Sequence, residues 1–414
     1  MSATTPLDVL VVADDLTGAA DTAAAFTRVG LATQVTFAGT GPPVIADGVL
    51  ALDTDSRRHA PPAAARAVAE AVAAAPAARL RLKKIDSTLR GNVGSETAAM
   101  MDAVGATVAV CAPAFPATGR RTVEGIQWAA GTRVGEVASC FDGMAVAHVP
   151  LEAVRGGAFG EHLARHAAAG ARVVVVDAET DDDLLAVVSG TGRVPAEELL
   201  WVGSGGLGAA LAAALPTRRS RPVAVVEGPA LVVVGSATPQ AAEQVERIAA
   251  HAVRVRVPVS LLRGAGEGPR PGLATPAAAV ADALAAAEDA VVTLDEDEPV
   301  PPEQARALVE ALGALLAPVV VHARPGAILA TGGETALGVA RALGAEGLEL
   351  EQEIEPGVVR GRLVGGPPLP MVTKAGGFGD PETLVRALAI LRGRTVGTDG
   401  RGDPPHGSRR MERT

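Results

Sequence analysis

Tyrosine is missing from this 414-residue chain, aromatic residues make up 2% of it, and it holds two cysteines, three lysines and one asparagine. So few aromatics cannot stack nucleobases along a strand. A net charge of −10 with a pI near 5.3 offers no basic field for nucleic acid or an anionic membrane. Cys111 and Cys140 lie in no CxxC pair, and the seven histidines show no metal-ligand spacing, so neither a disulfide scaffold nor a protein-held metal is expected. Two cysteines in so long a chain fit a reducing cytoplasm. The opening residues MSATTPLD carry neither the basic nor the apolar region of a signal peptide, and no apolar run approaches the roughly 20 residues of a membrane span. The partner expected is a small molecule, with no nucleic acid and no membrane, and a homodimer is the default assembly.

What is present is chiefly alanine, valine and leucine, in a chain that is 48% hydrophobic. Short β-branched runs alternate with polar turns and alanine-rich helical stretches. Strands are expected over 9–12, 33–37, 49–52, 80–85, 108–111, 173–176 and 200–202, then over 231–234, 253–257, 290–293, 328–330 and 370–373. The break between the two sets is Leu215-Pro216-Thr217-Arg218-Arg219-Ser220-Arg221-Pro222, rich in proline and arginine and poor in apolar residues. The fold expected is therefore α/β: two α/β domains with mostly parallel sheets, over residues 1–215 and 230–394, joined by a linker at 216–229 and followed by a disordered tail at 395–414. Ligands of such sheets bind beyond the carboxyl ends of strands, which puts the site in the cleft between the domains.

The polar turns carry the chemistry. Lys83-Lys84-Ile85-Asp86-Ser87-Thr88-Leu89-Arg90-Gly91-Asn92 holds two of the three lysines and the only asparagine in a chain that otherwise writes its cations as arginine. Lys84 and Arg90 offer positive charge there, and Asp86, Ser87, Thr88 and Asn92 offer hydrogen-bonding groups, a set suited to a small, anionic, polyhydroxylated ligand. Asp14-Asp15 ends the first strand. One of these carboxylates can orient a hydroxyl and take its proton, or simply cap the next helix. Arg57, in Asp53-Thr54-Asp55-Ser56-Arg57-Arg58, offers a fork for a carboxylate.

In the second half, Thr331-Gly332-Gly333-Glu334-Thr335 and Thr373-Lys374-Ala375-Gly376-Gly377 are strand-to-helix turns. Their glycines let the backbone approach a phosphate, and one of them holds the remaining lysine. Gly203-Ser204-Gly205-Gly206-Leu207-Gly208 is a competing GxGxxG, with Glu227 near the distance a ribose-binding acid needs, which keeps a nicotinamide-dependent oxidoreductase open.

At these residues the chain resembles the four-carbon acid sugar kinases. The matching stretches are VVADDLTGAADTAAAF (11–26), DTDSR (53–57), KKIDSTLRGNVGSE (83–96), CAPAFPATGRRTVEG (111–125), VVVGSATPQ (232–240), LATGGETA (329–336), EIEPGV (353–358) and TKAGGFGD (373–380), in family order over nearly the whole chain short of the tail. The resemblance implies an acid-sugar-binding domain followed by a nucleotide-binding domain. It implies ATP-dependent phosphorylation, with Mg²⁺, of the terminal hydroxyl of threonate, erythronate or a 3-oxo-tetronate. The form DSTLRGN is similar to the threonate and erythronate branch. On this resemblance Asp15, Arg57 and the stretch Lys84 to Arg90 hold the sugar acid, with Asp15 or Asp86 as base. Ser236, Gly332 to Thr335, Gly376 and Gly377 hold ATP. A non-catalytic sugar-acid sensor of the same build is the remaining alternative.

Overall fold

In the computed structural model the described residues are 6–41, 45, 47–236, 238–263, 271–295, 300–301 and 304–394. The tail expected from residue 395 lies outside them. The N-terminal half contributes β1 (Leu7–Ala13), β2 (Thr33–Thr36), β3 (Val49–Asp53), β4 (Ala78–Lys84), β5 (Val108–Ala112), β6 (Arg120–Val123), β7 (Ile126–Ala129), β8 (Thr132–Glu136), β9 (Val146–Val149), β10 (Val173–Val176) and β11 (Leu199–Gly203). The C-terminal half contributes β12 (Ala230–Val234), β13 (Val253–Pro258), β14 (Ala290–Asp295), β15 (Ala327–Thr331), β16 (Ala345–Glu355), β17 (Val358–Gly365) and β18 (Pro370–Lys374).

Fifteen of these strands form one sheet, in the order β13-β14-β12-β15-β18-β17-β16-β2-β3-β1-β4-β11-β5-β10-β9. Each half is an α/β layer whose central strands are buried on both faces, which is why they read as runs of valine and leucine. The halves meet where β16 pairs antiparallel with β2, Leu348 opposite Val35. The strand pattern misses β16 and its partner β17. In AEGLELEQEIE, Ala345, Leu348 and Leu350 are buried in the core and Ile354 packs at its edge, with glutamates between them, so no apolar run marks the strand. The antiparallel sheet β6-β7-β8, an excursion after β5, is also missed.

Helices cover both faces. The helix Leu16–Thr27 is alanine-rich and buried nearly all round, because it lies on the sheet over β1, β2, β3 and β16 and packs along the helix Gly205–Ala213. One apolar core runs through both halves on this side, from Val9 and Val11 through Val35 and Leu348 to Ile328 and Ala330. On the opposite face, Leu10 and Val12 pack with Val68 and Met100 in the N-terminal half, and Val232 packs with Val245 and Leu388 in the C-terminal half. The helix Ala305–Ala323 is long and apolar enough to cross a membrane by length and composition. Here Leu308, Leu312 and Leu316 are buried, and the helix crosses the helix Gly333–Ala342 so closely that a β-carbon on Gly313 would lie 2.5 Å from Gly338 O. Residues 214–229 carry no helix or strand. This segment is strapped down by Arg218 N to Val29 O (2.7 Å) and Val226 N to Leu391 O (2.7 Å).

Lys83 and Lys84 close β4 at successive positions and so point to opposite faces. Lys83 is fully buried, with Nζ 2.7 Å from Glu96 Oε2 and donating to Lys84 O at 2.9 Å. Ser56 Oγ donates to Glu96 Oε1 (2.6 Å) and shares a 2.7 Å bond with Thr54 Oγ1, so this ion pair fixes the turn after β3 from beneath. Removing one partner strands a buried charge, which costs about 3–5 kcal/mol, whereas replacing both costs less. Lys83→Met is expected to lose that much in urea unfolding, and Lys83→Met/Glu96→Leu to recover at least half of it. Trp128 and Trp201, both in the N-terminal half, supply the fluorescence readout; equal loss in both variants would refute the ion-pair argument.

Candidate active site

The strand ends of both halves open onto one cleft of about 980 Å³. From the N-terminal half it is lined by Asp14, Asp15, Arg57, Lys84, Asp86, Ser87, Thr88 and Arg90. From the C-terminal half come Ser236, Gly332, Gly333, Glu334, Thr335, Gly376 and Gly377. Most of the residues singled out in the sequence thus meet in one place. A cleft stands where the inter-domain site is expected.

Arg57 organises the first wall. Its Nε and Nη2 donate to the two oxygens of Asp14 (both 2.8 Å), and its Nη1 donates to Asp15 Oδ2 (2.6 Å). The fork expected to receive a ligand carboxylate is therefore spent on Asp14. Burial alone would raise the Asp14 carboxyl, but the Arg57 hydrogen bonds and charge outweigh it and hold Asp14 below the usual range. Asp15 caps the helix Leu16–Thr27, its Oδ1 accepting from Gly18 N at 2.8 Å. Gly18 has to be glycine, since a β-carbon there would lie 2.6 Å from Asp15 Oδ1 and 2.9 Å from Lys84 Nζ. Lys84 Nζ itself has no hydrogen-bond or ion-pair partner among the described residues.

Asp86 holds the next turn together. Arg90 Nε and Nη2 clamp it at 2.9 and 2.7 Å, and Thr88 N donates at 3.0 Å. Burial works to raise its carboxyl, yet the Arg90 hydrogen bonds and the Arg57 charge drive it well below the usual range. The turn bends through left-handed Leu89 (φ 61°) and Gly91 (φ 91°). Asn92 is absent from the cleft lining. Its amide donates to Ser56 O and His59 O (3.2 and 2.9 Å), which ties this turn to the one after β3.

Across the cleft, Gly332 (φ 99°) precedes the helix Gly333–Ala342, whose first-turn N–H groups have no intrahelical partner. The second glycine turn packs on Ser236: a β-carbon on Gly376 would lie 2.6 Å from Ser236 Oγ. Thr238 Oγ1 donates to Gly376 O at 3.0 Å. Lys374 is also absent from the lining. Its ammonium donates to Ala375 O (2.9 Å) and Gly376 O (3.2 Å), shaping the turn from behind, and burial lowers its pKa to about 8. Leu294, Val300, Leu308, Val309 and Leu337 add an apolar wall beside these turns.

Several cleft residues escaped the sequence reading because their role exists only between the halves. Arg58 pairs with Glu334 at 3.1 Å, and Arg306 pairs with Asp55. Asp21 Oδ1 accepts from Gly357 N (2.7 Å), and burial pushes its carboxyl up. An acid inside an otherwise alanine-rich helix was the available signal for Asp21. Arg120 lies over the Phe378 ring, 4.8 Å from its centroid. The GSGGLG glycines serve packing. A β-carbon on Gly206 would lie 2.5 Å from Ala114 O, and one on Gly208 2.6 Å from Thr22 Cγ2, while no strand follows until Ala230.

Fold and site together define a two-domain α/β protein that presents strand ends, free cations and glycine turns to one inter-domain cleft. Two family models match it: a sugar-binding N-terminal domain over residues 9–142 and 137–211, and a nucleotide-binding C-terminal domain over residues 231–384. A D-threonate kinase of Cupriavidus necator is 38% identical, the match covering 92% of this chain and 97% of the relative. A D-threonate kinase of Bordetella bronchiseptica is 36% identical over 93% and 97%, and a D-erythronate kinase of Heliobacterium modesticaldum 31% identical over 93% and 97%. A solved protein of Salmonella typhimurium LT2 shares the fold, with a TM-score of 0.77 at 23% identity over 92% of this chain and 98% of that one. The chain belongs to the four-carbon acid sugar kinase family.

One buried acid at the rim yields a pH test. Asp53 is 4% exposed, its Oδ1 accepts from Asp55 N (2.9 Å), and its Oδ2 is buried without a partner among the described residues. Burial, with the Asp55 charge, raises its pKa to about 8. A raised folded pKa gives stability that is present below the unfolded value, near 4, and lost as pH rises through 8. Asp53→Asn, which keeps the shape and removes the titration, is expected to melt close to the wild type at pH 5 and above it at pH 9. A melting difference that does not change with pH would remove the buried-acid account.

Proposed function

We propose that this protein transfers the γ-phosphoryl group of ATP to the C4 hydroxyl of a four-carbon sugar acid, D-threonate first and D-erythronate next. One observation carries the reading: the acidic and cationic turns after β1, β3 and β4 share a single cleft with the glycine turns after β15 and β18. In this reading residues 1–215 hold the acid, 230–394 hold the nucleotide, and 216–229 link them. The family models and the D-threonate kinase relatives support it. A 3-oxo-tetronate is the second acceptor to try, since relatives with that activity are 27–30% identical.

The acid's carboxylate sits against Lys84 and the Ser87–Thr88 turn, because Lys84 is the unpaired cation on that wall. The nucleotide's phosphates lie along Gly332–Thr335 and Gly376–Gly377 beside Ser236, with the base against Leu294, Leu308 and Leu337. The C4 oxygen bonds to the γ-phosphorus as the bond to the ADP oxygen breaks, and the hydroxyl proton passes to Asp15. Asp15 is preferred to Asp86 because among the described residues it accepts only from Gly18 N and Arg57, whereas Asp86 Oδ2 alone accepts from Thr88 and from Arg90. Positioning and fixed charge do most of the work in such a transfer. No cluster of three His, Cys, Asp or Glu able to hold a metal occurs among the described residues. In this reading Mg²⁺ comes with the nucleotide and would neutralise the charge of its phosphates. Cys111 and Cys140 are unpaired, in keeping with a cytoplasmic setting.

An ADP-release assay with ATP, Mg²⁺ and D- and L-threonate, D- and L-erythronate and a 3-oxo-tetronate is expected to show turnover on D-threonate. Asp15→Asn is expected to lower kcat about 100-fold or more with ATP affinity kept. Silence across the panel, with ATP bound in calorimetry, would move the acceptor outside the four-carbon acids. Silence without ATP binding would overturn the reading of the second half.

A further inference from the structure

Six lysine and arginine side chains line the cleft, and four of them are already neutralised by this chain: Arg57 by Asp14 and Asp15, Arg90 by Asp86, Arg58 by Glu334, and Arg306 by Asp55. The other two are Lys84 and Arg120, which have no carboxylate within ion-pair distance among the described residues. Lys84 belongs to the acid-holding wall. Arg120 stands elsewhere.

Its backbone is fixed. Phe115 N donates to Arg120 O (2.8 Å) and Arg120 N to Phe115 O (3.1 Å), closing the turn that passes through left-handed Gly119. The hairpin that follows is bolted to the acid-holding turn by Gln127, fully buried, whose Nε2 donates to Ser87 O (2.8 Å) and whose Oε1 accepts from Thr122 Oγ1 (2.7 Å). From this hairpin, in the N-terminal half, the guanidinium reaches the C-terminal half and lies on the ring of Phe378, directly after Gly376–Gly377. Phe378 in turn packs on Gly357, where a β-carbon would lie 2.6 Å from the ring. Arg120 Nη1 donates to Thr118 O at 3.3 Å, and its Nε is buried without a partner among the described residues. A guanidinium has five donors, so this one is under-satisfied as it stands.

We propose that Arg120 grips the phosphoryl group in transit and that Phe378 holds it in place to do so. Rooted on the acceptor side and stacked on the donor side, it stands where neither ligand alone completes its hydrogen bonds. Charge that develops on the transferring oxygens does complete them. The proposal rests on the kinase reading above.

The test uses the full chain with ATP, Mg²⁺ and D-threonate. Arg120→Met is expected to lower kcat about 10³-fold while ATP and threonate affinities, each measured alone by calorimetry, stay within about threefold. Arg120→Lys, which keeps the charge, is expected to regain about tenfold of that loss. Phe378→Leu, which removes the ring, is expected to lower kcat about tenfold with affinities kept. The wild type is also expected to bind ADP with aluminium fluoride more tightly when threonate is present, and Arg120→Met to lose that gain. A kcat within about threefold of wild type in Arg120→Met overturns the proposal. So does a loss of ATP affinity as large as the loss of kcat, which would make Arg120 a ground-state nucleotide ligand. A wild type silent on every acid of the panel overturns the four-carbon-acid reading above, and this proposal, which rests on it, as well. Turnover in the wild type with an unaffected Arg120→Met overturns this proposal alone.

Discussion

Carboxylates crowded in a half-buried cleft stay ionised only if a cation is built in among them, and in this protein that cation is Arg57. Its guanidinium joins Asp14 and Asp15 and comes within 3.8 Å of Asp86, so three acids from two strand ends share its field. Burial works to raise the Asp14 carboxyl, and the Arg57 hydrogen bonds and charge are what chiefly hold it down. The rest of the wall follows from this contact. Asp14, 3% exposed, holds Arg57 by both oxygens; a β-carbon on Gly91 would lie 2.8 Å from Asp14 Oδ2, so the turn after β4 closes against the same group. A conserving change to lysine would supply the charge without the fork, and one of the two acids would lose its partner.

The sheet makes the two walls face each other. Backbone pairing of β16 with β2 joins the halves by a ladder, and a slip of one residue would turn Leu348 and Leu350 out of the shared core. The halves are thereby kept from sliding past one another. The cleft is bridged instead by side chains that can part: Arg58 to Glu334, Arg306 to Asp55, and Arg120 on Phe378. The strap at 214–229, bonded to Val29 on one side and Leu391 on the other, spans the same junction from outside.

How legible this was in the sequence depended on what each residue answers to. Strands buried on both faces announce themselves as valine runs, and turns after them as glycine and aspartate, so the layers and the polar turns could be read off the chain. β16 could not, because its burial is one-sided and its period-two signal is diluted by glutamate. Lys83 and Lys84 look equivalent in sequence, yet strand alternation sends one to a buried carboxylate and the other to the cleft. Lys374 reads as a phosphate ligand, but its Nζ reaches back to two carbonyls of its own turn. In each case the sequence carried the residue type and the local element. The partner came from a segment far along the chain or from a change of face, and no local pattern encodes that.

A charge count explains why so acidic a chain can take anionic ligands. The cleft lining has six carboxylates, Asp14, Asp15, Asp21, Asp55, Asp86 and Glu334, against six lysine and arginine cations. The lining is thus balanced in formal charge, burial raises the pKa of Asp21, and Lys84 and Arg120 are the cations without a carboxylate partner among the described residues. In the proposed reading those two meet one carboxylate and a group passing between the ligands, and a triphosphate's charge is met by backbone N–H groups and by a cation brought with it. The glycine turns and helix start on the C-terminal wall supply the first of these. Arginines that appear, in sequence, to be waiting for a substrate are in the fold the counter-ions that let the acids stand close enough to work.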